Sequence, residues 1–178
     1  MTNDYMYFVA NWKMFGDIKT LNSINNVIKL SKLRKFNKTK IIYCPPYTLI
    51  NKFADKLKNT KIDIGAQNCH HSETTGPYTG FINPKMIKNL GCKYVIIGHS
   101  ENRSIGESNY LINKKIKASL NSNLKILFCI GENFKEKKLK KTKRILSKQI
   151  KEGLKGIINI KNIIIAYEPV WSIGTGII

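Results

Sequence analysis

Lys93-Tyr94-Val95-Ile96-Ile97-Gly98-His99-Ser100-Glu101 decides how this chain folds. After Lys93, four aromatic and β-branched residues, Tyr94 to Ile97, run without a polar interruption. A glycine ends the run, and an imidazole and a carboxylate follow at once. A short continuous apolar run suits a strand covered on both faces, as in a parallel sheet with helices packed on it. The same design recurs at Tyr7-Phe8-Val9-Ala10, Lys40-Ile41-Ile42-Tyr43-Cys44, Lys61-Ile62-Asp63-Ile64-Gly65, Lys125-Ile126-Leu127-Phe128-Cys129 and Asn162-Ile163-Ile164-Ile165-Ala166.

Longer polar stretches of helical period separate the runs. Leu21, Ile24, Val27 and Ile28 mark one apolar stripe; Leu139, Leu146, Ile150 and Leu154 mark another, with lysines on the opposite face. Gly91 and Gly156 stand where helices should end. Six βα repeats in one α/β domain follow, closing either as an open doubly wound sheet or as a barrel.

The chain has 178 residues, 42% of them hydrophobic and 24% charged, which is a globular balance. No apolar run approaches the roughly 18 residues of a spanning helix, so no membrane partner is expected. The N-terminus lacks the basic and apolar regions of a secretory signal. Cys44, Cys69, Cys92 and Cys129 are widely spaced and read as reduced, mostly buried thiols of a cytosolic protein. Lys+Arg number 31 against 11 Asp+Glu, a net charge of +20 that favours anionic partners without choosing one. The lysine-rich stretch 135–155 reads as a solvated helix face; basic residues are not interleaved with aromatics, so no nucleic-acid partner is expected. His70 and His71 are adjacent in a loop, and no metal-ligand spacing, G-x-G-x-x-G or Walker sequence is present, so neither a metal nor a nucleotide cofactor is expected.

In barrels and open α/β sheets, chemistry gathers at the C-terminal ends of the strands. The residues there are Asn11-Trp12-Lys13, Pro45-Pro46-Tyr47, Gln67-Asn68, His99-Ser100-Glu101, Gly131-Glu132 and Glu168-Pro169-Val170-Trp171. A carboxylate, an imidazole and an ammonium at one end of a sheet can move a proton at carbon beside a carbonyl. Spacing alone leaves plainer readings open: a structural His99, a buried Glu168 paired to a lysine, a surface Lys13, and an ordinary turn at Gly174-Thr175-Gly176.

Ala10-Asn11-Trp12-Lys13-Met14, Gly65-Ala66-Gln67-Asn68, Tyr78-Thr79-Gly80, Tyr94 through Glu101, Cys129-Ile130-Gly131-Glu132, and Ala166-Tyr167-Glu168-Pro169-Val170-Trp171-Ser172-Ile173-Gly174-Thr175-Gly176 together resemble triosephosphate isomerase, in the family's order. The resemblance implies a TIM barrel that interconverts dihydroxyacetone phosphate and D-glyceraldehyde 3-phosphate, in glycolysis and gluconeogenesis, without cofactor or metal. It implies Glu168 as the base, His99 as the electrophile, and Lys13 as both a catalytic and a substrate-binding group beside Asn11. Glu101 would support Lys13, and segment 169–176 would be a lid whose Gly174 grips phosphate. A cytoplasmic homodimer is implied, with the loop over residues 69–80 reaching into the partner and Thr79 buttressing the partner's Asn11 and Lys13.

Departures from the family pattern are Phe81 for a glutamate, Asn102 for the first of two arginines, one residue deleted between Arg103 and Gly106, and Ile177 where a lysine is usual. Such barrels have eight βα units in about 250 residues. Residues 1–178 are therefore expected to form one incomplete barrel domain with six units. The strands that carry a phosphate-binding serine and a Gly-Gly pair would lie beyond it. The alternative is an inactive remnant of the same family, acting at most as a binding or assembly module.

Overall fold

The computed structural model describes residues 5–173. Each of the six apolar runs is a strand: β1 (Met6–Asn11), β2 (Thr39–Cys44), β3 (Ile62–Ala66), β4 (Tyr94–Ile97), β5 (Lys125–Ile130) and β6 (Ile163–Tyr167). They form one parallel sheet in the order β1-β2-β3-β4-β5-β6. A doubly wound sheet reverses its strand order at a switch point. Strictly sequential pairing chooses the barrel between the two closures left open above.

The two-residue period of the strands sorts their side chains into two buried clusters. Ile62, Ile64, Ala66, Val95, Ile97, Ile126, Phe128 and Ile130 meet the helices, packing with Leu49, Ile50, Phe53, Ile112 and Ile116. The alternate residues Ile42, Cys44, Tyr94, Ile96, Leu127 and Cys129 form a second cluster made of strand residues. Tyr94 is only 1% exposed there although no helix covers it, because the sheet curls until side chains of neighbouring strands fill its concave face. Burial on both faces therefore holds in the middle of the sheet, where all four residues of β4 are buried. It fails in β1 and β6, where Phe8, Val9, Ile165 and Tyr167 are exposed. Each of these strands has one sheet neighbour among the described residues.

The helices are α1 (Asn25–Ser31), α2 (Tyr47–Leu57), α3 (Pro84–Asn89), α4 (Ser100–Ser104), α5 (Asn109–Asn121), α6 (Phe134–Lys138) and α7 (Thr142–Gly153). Their starts are chemically marked. Asn83 caps α3, with Pro84 in its first turn; Ser108 caps α5; Asn133 and Glu136 close a capping box on α6. Gly91, with φ +91°, takes the left-handed turn after α3 that a side chain would resist.

Two expected helices differ in detail. The stripe from Leu21 begins as a 3-10 helix (Ile18–Ile24) before α1. Asp17 caps it, and the Thr20 and Ser23 hydroxyls donate to the carbonyls of Asp17 and Thr20, which favours the tighter three-residue repeat. Leu139 does not share the stripe of Leu146, Ile150 and Leu154: it ends α6 and is exposed, while those three pack on the core from α7 and its end. All four cysteines are free and buried, as expected. Burial raises each thiol pKa, that of Cys69 to about 11 and that of Cys92 to about 12.

Candidate active site

The strand ends converge. Asn11 is the last residue of β1, and Lys13 follows it with φ +53°, a left-handed conformation costly for a side-chain-bearing residue. Both sides of this residue are clamped. The Asn11 Oδ1 accepts from the Lys13 N–H at 3.0 Å, and Gln67 Nε2 donates to the Lys13 carbonyl at 2.7 Å and to that of Cys44 at 2.9 Å. The Lys13 ammonium then reaches Glu101 Oε1 at 2.8 Å. That bond, more than any other influence, holds the Glu101 carboxyl below its ordinary pKa.

His99 leaves the end of β4 as the cap of α4 and is buried. Its Nδ1 accepts the Glu101 backbone N–H at 3.2 Å. A nitrogen that accepts a hydrogen bond holds no proton, so the neutral ring carries its hydrogen on Nε2. Nε2 points at Glu168 Oε1, 3.4 Å away. Glu168 leaves β6, its N–H donating to the Ile130 carbonyl at 2.8 Å. Its carboxylate also accepts from Cys129 Sγ at 3.2 Å and from the Ser100 N–H at 3.4 Å.

Behind Glu168 the backbone is very close. A Cβ on Gly131 would stand 1.8 Å from the Glu168 carbonyl oxygen, so only glycine fits at the end of β5. Gln149 fixes Gly131 from α7, accepting from its N–H and donating to its carbonyl, both at 2.9 Å. The next residue, Glu132, is buried and accepts from Thr142, Tyr167 and Trp171 at 3.1–3.2 Å. Burial pushes its carboxyl pKa up, but these donors and its own backbone N–H outweigh burial and hold it below the ordinary value.

On the Lys13 side a cavity of about 580 Å³ opens, lined by Asn11, Lys13, Gln67, His99, Glu101 and Lys115; Glu168 is not part of its wall. At its base Lys115 pairs with the buried Glu107 and donates to Asn68 Oδ1 at 3.0 Å.

The structure thus brings Asn11, Lys13, Glu101, His99 and Glu168 into one connected cluster. Thr79 is exposed on the loop between β3 and α3 and lies outside that cluster. Gly174 lies outside the described residues; the expected lid segment is described as far as Ile173, with a 3-10 turn over Val170–Ser172. Sequence reasoning passed over the supports, namely Gln67 as a clamp, Arg103 beneath His99, and Cys129 against Glu168. Gln67 and Cys129 were visible beside strand ends and Arg103 within α4, but each meets a partner from another strand or the loop after it. Among the described residues no group of histidine, cysteine or carboxylate side chains could hold a metal ion.

Fold and site define a class: a (β/α)-barrel protein with a carboxylate, an imidazole and an ammonium gathered at the strand ends. The family model for triosephosphate isomerase matches residues 6–178. The chain belongs to the triosephosphate isomerase family. It is 47% identical over 171 residues to the triosephosphate isomerase of Dictyoglomus thermophilum, covering 94% of this chain and 68% of that relative. It is 41% identical to that of Clostridium botulinum, covering 94% and 67%. The crystal structure of triosephosphate isomerase from Bartonella henselae superposes with a TM-score of 0.85 at 36% identity, over 93% of this chain and 68% of that one. These relatives bear the name of an isomerase, an intramolecular oxidoreductase, on the same curled barrel. No helix among the described residues is long and apolar enough to cross a membrane.

Proposed function

We propose that this chain carries the proton-transfer apparatus that interconverts dihydroxyacetone phosphate and D-glyceraldehyde 3-phosphate. The observation that carries the reading is the His99 Nε2 to Glu168 Oε1 approach of 3.4 Å, with the Lys13 ammonium on the same rim. Glu168 takes a proton from the hydroxylated carbon beside the carbonyl. The electron pair left behind becomes an enediolate, whose oxygen receives the His99 Nε2–H. Lys13 offsets the negative charge, and Asn11 lines the same cavity as a substrate contact. Glu168 then returns the proton to the neighbouring carbon while His99 relays a hydroxyl proton between the oxygens. The two carbons exchange oxidation states, so no external oxidant enters.

The remaining family properties belong to the same proposal. Residues 1–178 form one incomplete barrel domain of an enzyme that works as a cytoplasmic homodimer in glycolysis and gluconeogenesis, and by themselves they turn over little or no substrate. Thr79 meets the partner, and Gly174 grips phosphate from the lid. Supporting the dimer, Met14, Phe15, Phe81 and Ile105 expose apolar surface.

The test uses the 178-residue chain and the same chain extended with the C-terminal part of the Dictyoglomus thermophilum relative. Isomerase turnover is expected in the extended chain. Glu168→Gln should reduce it ~10²–10⁴-fold, since an amide cannot accept the carbon-bound proton. Near-parental turnover in Glu168→Gln would remove Glu168 from the base role. An inactive extended chain would favour the inactive-remnant reading.

A further inference from the structure

We infer that Arg103 is the positioning residue that sets the distance between His99 and Glu168, an inference that rests on the proton-transfer reading of the site. The β4–β5 ladder ends at the pair Ile97–Phe128. One residue further on, the chain turns sharply at Gly98, with φ +76°, to launch His99, while Cys129 supplies the thiol that donates to Glu168. At this level the Arg103 guanidinium takes over from the ladder. Its Nε donates to the Gly98 carbonyl at 2.7 Å, and its Nη2 donates to the Cys129 carbonyl at 3.1 Å.

The fork is itself held from behind. Arg103 Nη1 donates to Asn109 Oδ1 at 2.6 Å, and Asn109 Nδ2 donates to Glu152 Oε2 at 2.8 Å, tying the group to α5 and α7. A Cβ on Gly98 would come within 2.9 Å of Arg103 Nη2, so the glycine turn and the guanidinium fit each other. The connection is short and rigid: Gly98 precedes the imidazole, and the Cys129 side chain touches the carboxylate. One planar group thus bridges the residue that precedes the imidazole and the residue whose thiol touches the carboxylate. A lysine puts its donors on one nitrogen and cannot reproduce the three separate nitrogens that reach Gly98, Cys129 and Asn109. Arg103 lies outside the proposed reaction itself; it acts through the two groups it spaces.

Arg103→Lys is therefore expected to lower kcat by ~10–10²-fold in the extended chain with KM nearly unchanged, the cost of misplacing reacting groups by a fraction of an ångström to an ångström. In a Glu168→Asp background, where the carboxylate is already withdrawn, the same substitution should cost far less. A purely structural role would instead lower melting temperature and leave the loss equal in both backgrounds. If Arg103→Lys does not fold, Asn109→Ala, which frees the fork but keeps both carbonyl bonds, should still lower kcat several-fold; normal turnover in it would overturn the inference.

A readout independent of turnover is hydrogen exchange in the 178-residue chain. The Glu101 amide, bonded to His99 Nδ1, should exchange faster in Arg103→Lys while the Ile42 amide stays unchanged. An unchanged Glu101 amide, or undiminished kcat, would overturn the role of Arg103. Absence of turnover in the parent would overturn the isomerase reading, and the exchange measurement would still decide on Arg103.

Discussion

Gly131→Ala adds one methyl group and should disable the site without unfolding the chain. The new Cβ would lie 1.8 Å from the Glu168 carbonyl oxygen and 2.8 Å from its carbonyl carbon. Side-chain Cβ atoms essentially never approach another atom within 3.0 Å. One partner must therefore retreat by at least about 1.2 Å, since repulsion rises steeply inside the contact distance. Gly131 cannot be the one that moves, because Gln149 grips both its N–H and its carbonyl from α7. Glu168 can move, because it lies just past the end of an edge strand, held by its N–H bond to Ile130 and by its carboxylate contacts. Its oxygen would draw away from His99 Nε2, already 3.4 Å distant. A misplacement of this size costs ~10²-fold in rate, equivalent to ~2.7 kcal/mol of transition-state stabilisation. The assay is steady-state turnover of the extended chain alongside its far-ultraviolet circular dichroism. Turnover within about threefold of the parent would refute the reasoning, since it would mean that catalysis tolerates a displaced Glu168 backbone.

Other expectations follow from the same geometry. Under the proposed mechanism, in which the Lys13 charge acts on substrate phosphate and on the enediolate alike, Lys13→Met should raise KM and lower kcat together; a change in KM alone would confine Lys13 to binding. The Glu101 pKa is depressed in the fold, so the stability it contributes is present above its unfolded value and is lost as pH falls through the folded one. Melting curves of the parent and Glu101→Gln should accordingly converge on acidification below about pH 4, and parallel curves would contradict the Lys13–Glu101 pairing. Expressed by itself, the 178-residue chain should self-associate with rising concentration through the exposed strands β1 and β6. Val9→Lys on β1 should weaken that association in size-exclusion chromatography, because charge on an edge strand discourages pairing.

The strands were legible because their apolar runs are continuous and the segments between them carry a different period. The residues of the site were legible for a related reason. A parallel sheet places every polar residue that follows a run at one end, so Lys13, His99 and Glu168 had to be neighbours once the order of strands was known. Closure was less legible. Nothing in Tyr94 or Leu127 says that the concave face fills with side chains, and β1 and β6 read as buried although their faces are open. Tighter contacts were invisible for a physical reason. Gly131 looks like any glycine at a strand end until the Glu168 carbonyl lies against it. Arg103 looks like a surface cation on a helical turn until its fork meets two carbonyls from different strands. Leu139 misled because a stripe of leucines persists across a break between helices, and period alone does not register the break.

The four buried thiols give the barrel a set of internal clocks. Cys44 closes β2, Cys69 follows β3, Cys92 precedes β4 and Cys129 lies on β5. Burial holds all four as unreactive neutral thiols. A maleimide or disulfide reagent added to the native chain must therefore wait for each region to open, and the order in which the four sulfurs are modified records the order in which the sheet comes apart. Cys129 carries an additional meaning, because its sulfur touches Glu168. Its modification rate measures how often the Glu168 carboxylate leaves its place, through a sulfur that the chain already carries.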